Sequence, residues 1–66
     1  MPRNTRQWAR RELDRAAMLV DNIGEHLDRV EEVYRPQHDT IAEACLAIMV
    51  LLRESQKLIE ALRATI

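Results

Sequence analysis

Apolar residues recur along this chain at alternating spacings of three and four. They run first as Ala9, Leu13, Ala16, Val20, Ile23, Leu27, Val30 and Tyr34, and then as Ile41, Cys45, Ile48, Leu52, Ser55, Ile59, Leu62 and Ile66. Such spacing lines side chains along one face of a helix, because positions three and four apart sit above one another. Between the ladders stands Arg35-Pro36, where the proline removes a backbone donor and biases the preceding residue away from helical angles. The pattern predicts an all-α fold, a two-helix antiparallel hairpin with a helix over about 5–34, a turn over about 35–39 and a helix over about 40–65. The whole chain, 1–66, then forms a single helical-hairpin domain.

Local signals fit these boundaries. Asn4 or Thr5 can cap the first helix. The second has two competing starts, Pro36 as first helical residue or Thr40 as the cap of a Thr40-Ile41-Ala42-Glu43 capping box. Either leaves a short connection, which favours antiparallel neighbours. Gly24 is the one weak point of the first helix, costing about 1 kcal/mol relative to alanine unless a neighbouring helix approaches there. With Leu13 as heptad position a, Gly24 falls at e, at the edge of the apolar stripe.

The second helix carries more apolar surface than one neighbour can cover. Beyond its a and d ladder, Ala44, Leu51 and Leu58 occupy g, Ala42 and Met49 occupy e, and Leu46 and Val50 lie on the far side. Each leucine or valine left in water forgoes roughly 1.5 to 3 kcal/mol, more than a small hairpin can spare several times over. The expectation is self-association, most simply of two hairpins into a four-helix bundle with the second helices at its centre. The residues assigned to that oligomer interface are Leu13, Val20, Ile23, Leu27, Val30, Ile41, Cys45, Ile48, Met49, Leu51, Leu52, Leu58, Ile59 and Leu62. A higher oligomer, or a second protein's helix, would satisfy the same surface.

Composition supports this picture. A chain of 66 residues buries only about 60% of the surface exposed by its unfolded form, so a staple is expected. One cysteine and two histidines supply neither an internal disulfide nor a zinc-finger spacing, which leaves oligomerisation. No stretch approaches the roughly 18 to 20 apolar residues of a membrane span. The basic start MPRNTRQWARREL lacks the apolar core of a signal peptide, and a reduced, cytoplasmic location is the expectation.

Net charge is only −1, but it is unevenly spread. Arg3, Arg6, Arg10, Arg11 and Arg15 crowd the start against Glu12 and Asp14, whereas Asp21 to Glu43 holds seven acidic residues against Arg29 and Arg35. Trp8, Arg11 and Arg15 share a stripe, and a tryptophan among arginines can stack on a base while guanidinium groups hold phosphates. Arg3, Arg6, Trp8, Arg10, Arg11 and Arg15 are therefore candidate nucleic-acid or partner contacts. The same residues also suit a solvated bundle end, which the net negative charge favours. At the other end Glu25, Asp28, Glu31 and Glu32 form a candidate acidic rim.

His26, His38 and Cys45 invite a metal reading. However, His38 and Cys45 lie seven residues apart, about 10 Å along one helix, too far to share an ion unaided. No metal or cofactor is expected, and Cys45 reads as a small core hydrophobe. Ser55, the one polar member of the second ladder, is expected to bond back to a carbonyl one turn earlier rather than to set register. There is no nucleophile-base-orienter set and no Gly-rich phosphate loop, so no enzymatic activity is expected.

In size and presumed assembly the hairpin resembles the plasmid-encoded repressor-of-primer proteins, four-helix-bundle dimers that bind paired RNA loops. That resemblance covers no residue motif and transfers no site. Arg10-Arg11-Glu12-Leu13-Asp14 resembles the first helix of the all-helical chorismate mutases, whose site needs charged residues on a third helix that the two ladders do not predict. Ser55-Gln56-Lys57-Leu58 resembles the Ser-Gln-Glu-Leu-Asp signature of small sporulation phosphatases, with the acidic residues replaced. No family is assigned. The expectation is a non-enzymatic, self-associating interaction or regulatory module of a microbe, phage or plasmid. A small RNA- or DNA-binding regulator and a helical subunit of a larger complex are the alternatives.

Overall fold

The computed structural model describes residues 5–66; Arg3 and the Asn4 cap lie outside them. Helix α1 runs from Thr5 to Tyr34 and helix α2 from Asp39 to Thr65, and the two form a rod with extents of 54 × 16 × 14 Å. They are antiparallel. Arg63 pairs with Asp14 (Nε to Oδ1, 2.6 Å), and Gln56 Nε2 donates to Asp21 Oδ1 at 2.7 Å and to the Ala17 carbonyl at 3.3 Å. At the open end Arg10 donates to the Ile66 carbonyl at 2.9 Å. Because residue numbers rise on one side as they fall on the other, Leu19 stands level with Leu58 and Val30 close to the level of Ile48.

The turn differs from both predicted starts. Arg35 N still donates to the Glu31 carbonyl at 2.9 Å, and the Tyr34 carbonyl then accepts from Gln37 N (3.0 Å) and His38 N (2.7 Å). His38, not Pro36 or Thr40, holds the N-cap position of α2, with φ −141° and ψ 86° and no side-chain cap hydrogen bond. Its carbonyl accepts from Ile41 N and Ala42 N, each at 3.1 Å. Thr40 already lies inside the first turn, so the capping box does not form. The helix start is favoured instead by Asp39, an acidic residue in the first turn, at the positive end of the helix dipole. At the other end of α2, Arg63 complements the last carbonyls.

The seam between the helices is not the a/d ladder. Leu13, Val20, Leu27, Cys45, Leu52 and Ile59 of row a are buried or half-buried, and so are Ala17, Gly24, Glu31, Ala42, Met49 and Gln56 of row e. Row d mostly faces outward, with Ile23, Val30, Ile41, Ile48 and Leu62 all exposed. The physical reason is size: row e offers Ala17 and Ala42, over which two backbones can close, whereas row d from Ile23 onward offers branched chains that would hold them apart.

Gly24 faces a shallow groove lined by Val20, Asp21, Met49, Leu52, Arg53 and Gln56, and a Cβ built there would meet nothing within 4 Å. No close approach requires the glycine. Gly24→Ala is therefore expected to stabilise the chain by about 1 kcal/mol through helix propensity, read as a higher melting temperature at fixed concentration; a lower one would show that the groove must stay open.

Candidate assembly face and charged ends

Among the described residues, the hairpin fully buries only Ala42, Cys45 and the Glu31 side chain, while fourteen large apolar residues are exposed. Most of the fourteen fall in two stripes. On α1 these are Leu19, Ile23, Val30 and Val33; on α2 they are Ile41, Ile48, Leu51, Leu58 and Leu62. All nine occupy rows d and g. With rows a and e turned inward, d and g lie ~110° around each helix, and in an antiparallel pair both stripes come to the same side. The result is one apolar face running from the turn toward the open end, with Leu51 67% and Leu58 71% exposed. Two polar residues, His26 at g and Ser55 at d, stand near its middle, both exposed. The back-bond predicted for Ser55 is found instead at Thr65, whose Oγ1 donates to the Ala61 carbonyl at 2.9 Å.

The opposite side is largely polar. It carries the Arg63–Asp14 pair and the Gln56–Asp21 bond, with exposed Leu46 and Val50 standing on it. The predicted interface residues therefore divide. Leu13, Val20, Leu27, Cys45, Met49, Leu52 and Ile59 are used within the hairpin, while Ile23, Val30, Ile41, Ile48, Leu51, Leu58 and Leu62 lie on the open face.

Charge divides along the axis. The turn half holds Glu25, Asp28, Glu31, Glu32, Asp39 and Glu43 against Arg29 and Arg35. The open half, over the described residues, holds Arg6, Arg10, Arg11, Arg15, Arg53, Lys57 and Arg63 against Glu12, Asp14, Asp21, Glu54 and Glu60. At the basic end Trp8 is half-exposed beside open Arg6 and Arg11. Arg15 reaches Glu12 at 3.6 Å, and Arg10 is engaged by the Ile66 carbonyl.

One acidic residue departs from the predicted rim. Glu25, Asp28 and Glu32 are exposed, but Glu31 is 1% exposed and sits in the seam. Its Oε1 accepts from Arg35, while Oε2 has no hydrogen-bond partner among the described residues. The guanidiniums of Arg35 and Arg63 are both held above the ordinary arginine range, first by the side-chain hydrogen bond and then by Coulomb attraction, from Glu31 and Asp14 respectively. A raised cation stabilises below its unfolded pKa, so both contributions are lost only as pH rises through the arginine range.

The remaining candidates are scattered. Cys45 is buried and free, His26 is exposed, and the His38 ring lies 5.8 Å from that of Tyr34. The described residues contain no group of three or more His, Cys, Asp or Glu able to hold a metal, and no helix among them is long and apolar enough to cross a membrane. What periodicity missed was Glu31 and Gln56 within the seam; their signal was their place in row e, in step with Ala17, Gly24, Ala42 and Met49. No protein-family model, curated protein or solved structure matches the chain.

Proposed function

We propose that this chain is a non-enzymatic, self-associating interaction module whose d/g face pairs with another copy to complete a four-helix bundle. One observation carries the reading: a single hairpin leaves nine large apolar side chains on one side while fully burying two small ones. Contiguous apolar patches on soluble monomers are usually limited to a few hundred Å², and larger ones mark interaction surfaces. Seven of the nine, all but Leu19 and Val33, belong to the interface expected from the sequence pattern. Sedimentation equilibrium at micromolar concentration is expected to give at least twice the chain mass; a fully helical monomer would overturn the proposal.

A second reading, nucleic-acid binding at the basic end, is favoured by exposed Trp8 in the company of Arg11 and Arg15. It requires that an RNA hairpin mixture change Trp8 fluorescence and that affinity fall steeply with salt. An unchanged spectrum at low salt removes it.

A further inference from the structure

The exposed carboxylates of the turn half lie on the side opposite the apolar d/g face. Glu25 and Glu32 of α1 and Glu43 of α2 occupy row f, while Asp28 of α1 and Asp39 of α2 occupy row b; none of them forms a salt bridge among the described residues. Leu46, in row b and 45% exposed, and Val50, in row f and 59% exposed, stand in their midst. We propose that this side of the turn half docks a basic, amphipathic helix of a partner protein, its apolar side chains on Leu46 and Val50 and its lysines or arginines among the carboxylates. Self-association uses the other side, so the two surfaces can be occupied together.

Position along the rod follows from the antiparallel pairing, in which Arg63 meets Asp14 and Gln56 meets Asp21. By that count Glu32 stands level with Cys45, Asp28 with Met49 and Glu25 with Leu52, which places the acidic residues of α1 across the seam from Leu46 and Val50. Glu43 precedes Leu46 by one turn on α2 itself. Exposed charges act within a Debye length, about 10 Å at 0.1 M salt, so a cation seated beside Leu46 is attracted by several of these carboxylates at once. Nearby positive charge offsets them little. Arg35, in row b, is taken by the buried Glu31, and Arg29 and Arg53 stand at the margins of the patch. The seam beneath adds an acceptor, because Glu31 stands level with Leu46 and its Oε2 has no hydrogen-bond partner among the described residues.

This combination selects the partner's chemistry. Phosphate backbones and anionic lipid surfaces are repelled by an acidic surface. A small cation finds no chelating group, since among the described residues no three His, Cys, Asp or Glu can hold a metal. What answers both the apolar side chains and the carboxylates around them is a polypeptide carrying both, and an amphipathic helix laid along a seam does so through anchors three and four residues apart. The patch spans roughly 20 Å from the level of Asp39 to that of Glu25, the length of about 13 helical residues. Toward the open end it runs into the groove beside Gly24, where a Cβ would meet nothing within 4 Å and a partner's side chain has room.

The probes are a helical peptide of about 18 residues made of leucine and lysine with leucines three and four apart, the same peptide with glutamate for lysine, and an oligolysine of equal length. Each carries a fluorophore and is titrated with the full chain. The leucine-lysine peptide is expected to bind at low salt and to lose at least about tenfold in affinity as salt rises from about 0.05 to about 0.5 M. The glutamate peptide should not bind, and oligolysine should bind at least about tenfold more weakly. Two double variants locate the surface, Leu46→Ser with Val50→Ser and Glu32→Gln with Glu43→Gln. All four positions are exposed, so helicity and sedimentation mass should hold while affinity for the leucine-lysine peptide falls at least about tenfold in each variant. A peptide that fails to bind at low salt overturns the proposal. So does one that binds both variants as tightly as the original chain, the result expected if the d/g face captured it, and so does an oligolysine that binds equally well.

Discussion

Leu51→Asp is expected to abolish assembly and, with it, most of the helical structure at micromolar concentration. Leu51 is 67% exposed in the single hairpin, so for an isolated chain the substitution would be close to neutral, as surface changes usually are. In the assembled bundle it lies near the centre of the apolar face. There each copy loses the burial of one leucine, about 1.5 to 3 kcal/mol, and a carboxylate is brought into an apolar interface at a further cost of several kcal/mol. Two-fold symmetry counts each loss twice, so the dissociation constant should rise by at least about 10³-fold. Folding should follow, because the hairpin's own core is Ala42, Cys45 and a half-covered row a, and stability is then inseparable from chain concentration. Val50→Asp, on the polar side, is the control and should leave mass and helicity unchanged. Sedimentation equilibrium and circular dichroism on the three chains decide the matter; a Leu51→Asp chain with wild-type mass and melting would remove the face from the interface.

The two helices and their turn were legible because each ladder persists for four heptads and one Arg35-Pro36 step separates them. Which rows meet inside the hairpin was not legible from periodicity. Rows a, d, e and g all hold apolar residues in parts of this chain, and a 3-4 pattern cannot say which pair of rows faces the near helix and which faces outward. The deciding property is side-chain volume at row e, where Ala17 and Ala42 allow the helices to close. Gly24 shares row e but is no guide to the close approach, because in the folded chain it borders an open groove and a Cβ there would meet nothing within 4 Å. The cap of α2 escaped for a different reason: Thr40 and Glu43 have the capping-box spacing, but backbone bonds from the turn to Tyr34 place the cap two residues earlier, at His38.

Glu31 is the least legible feature, and its replacement carries the second large effect. In sequence it belongs to a run of acidic residues that reads as a solvated end. In the fold it is the most deeply buried side chain described, sharing the seam with Ala42 and Cys45, and one carboxylate oxygen has no partner among the described residues. It also lies in the last turn of α1, where the helix dipole disfavours a negative charge. Replacing a buried ion pair by apolar side chains of similar volume is often neutral or stabilising, by up to about 4 kcal/mol, and here the partner left behind, Arg35, is exposed to water. Glu31→Met is accordingly expected to raise the melting temperature, by about 4 to 8 °C for each kcal/mol gained in a domain of this size. Arg35→Ala should do the opposite, because it leaves the same carboxylate buried without its cation. In the Glu31→Met background, however, Arg35→Ala should be nearly silent, and that non-additivity is the signature of a coupled pair. All four chains must be melted at one concentration, since assembly shifts the midpoint. If Glu31→Met lowers the melting temperature more than Arg35→Ala does, the carboxylate is holding the seam together and is not a burden on it.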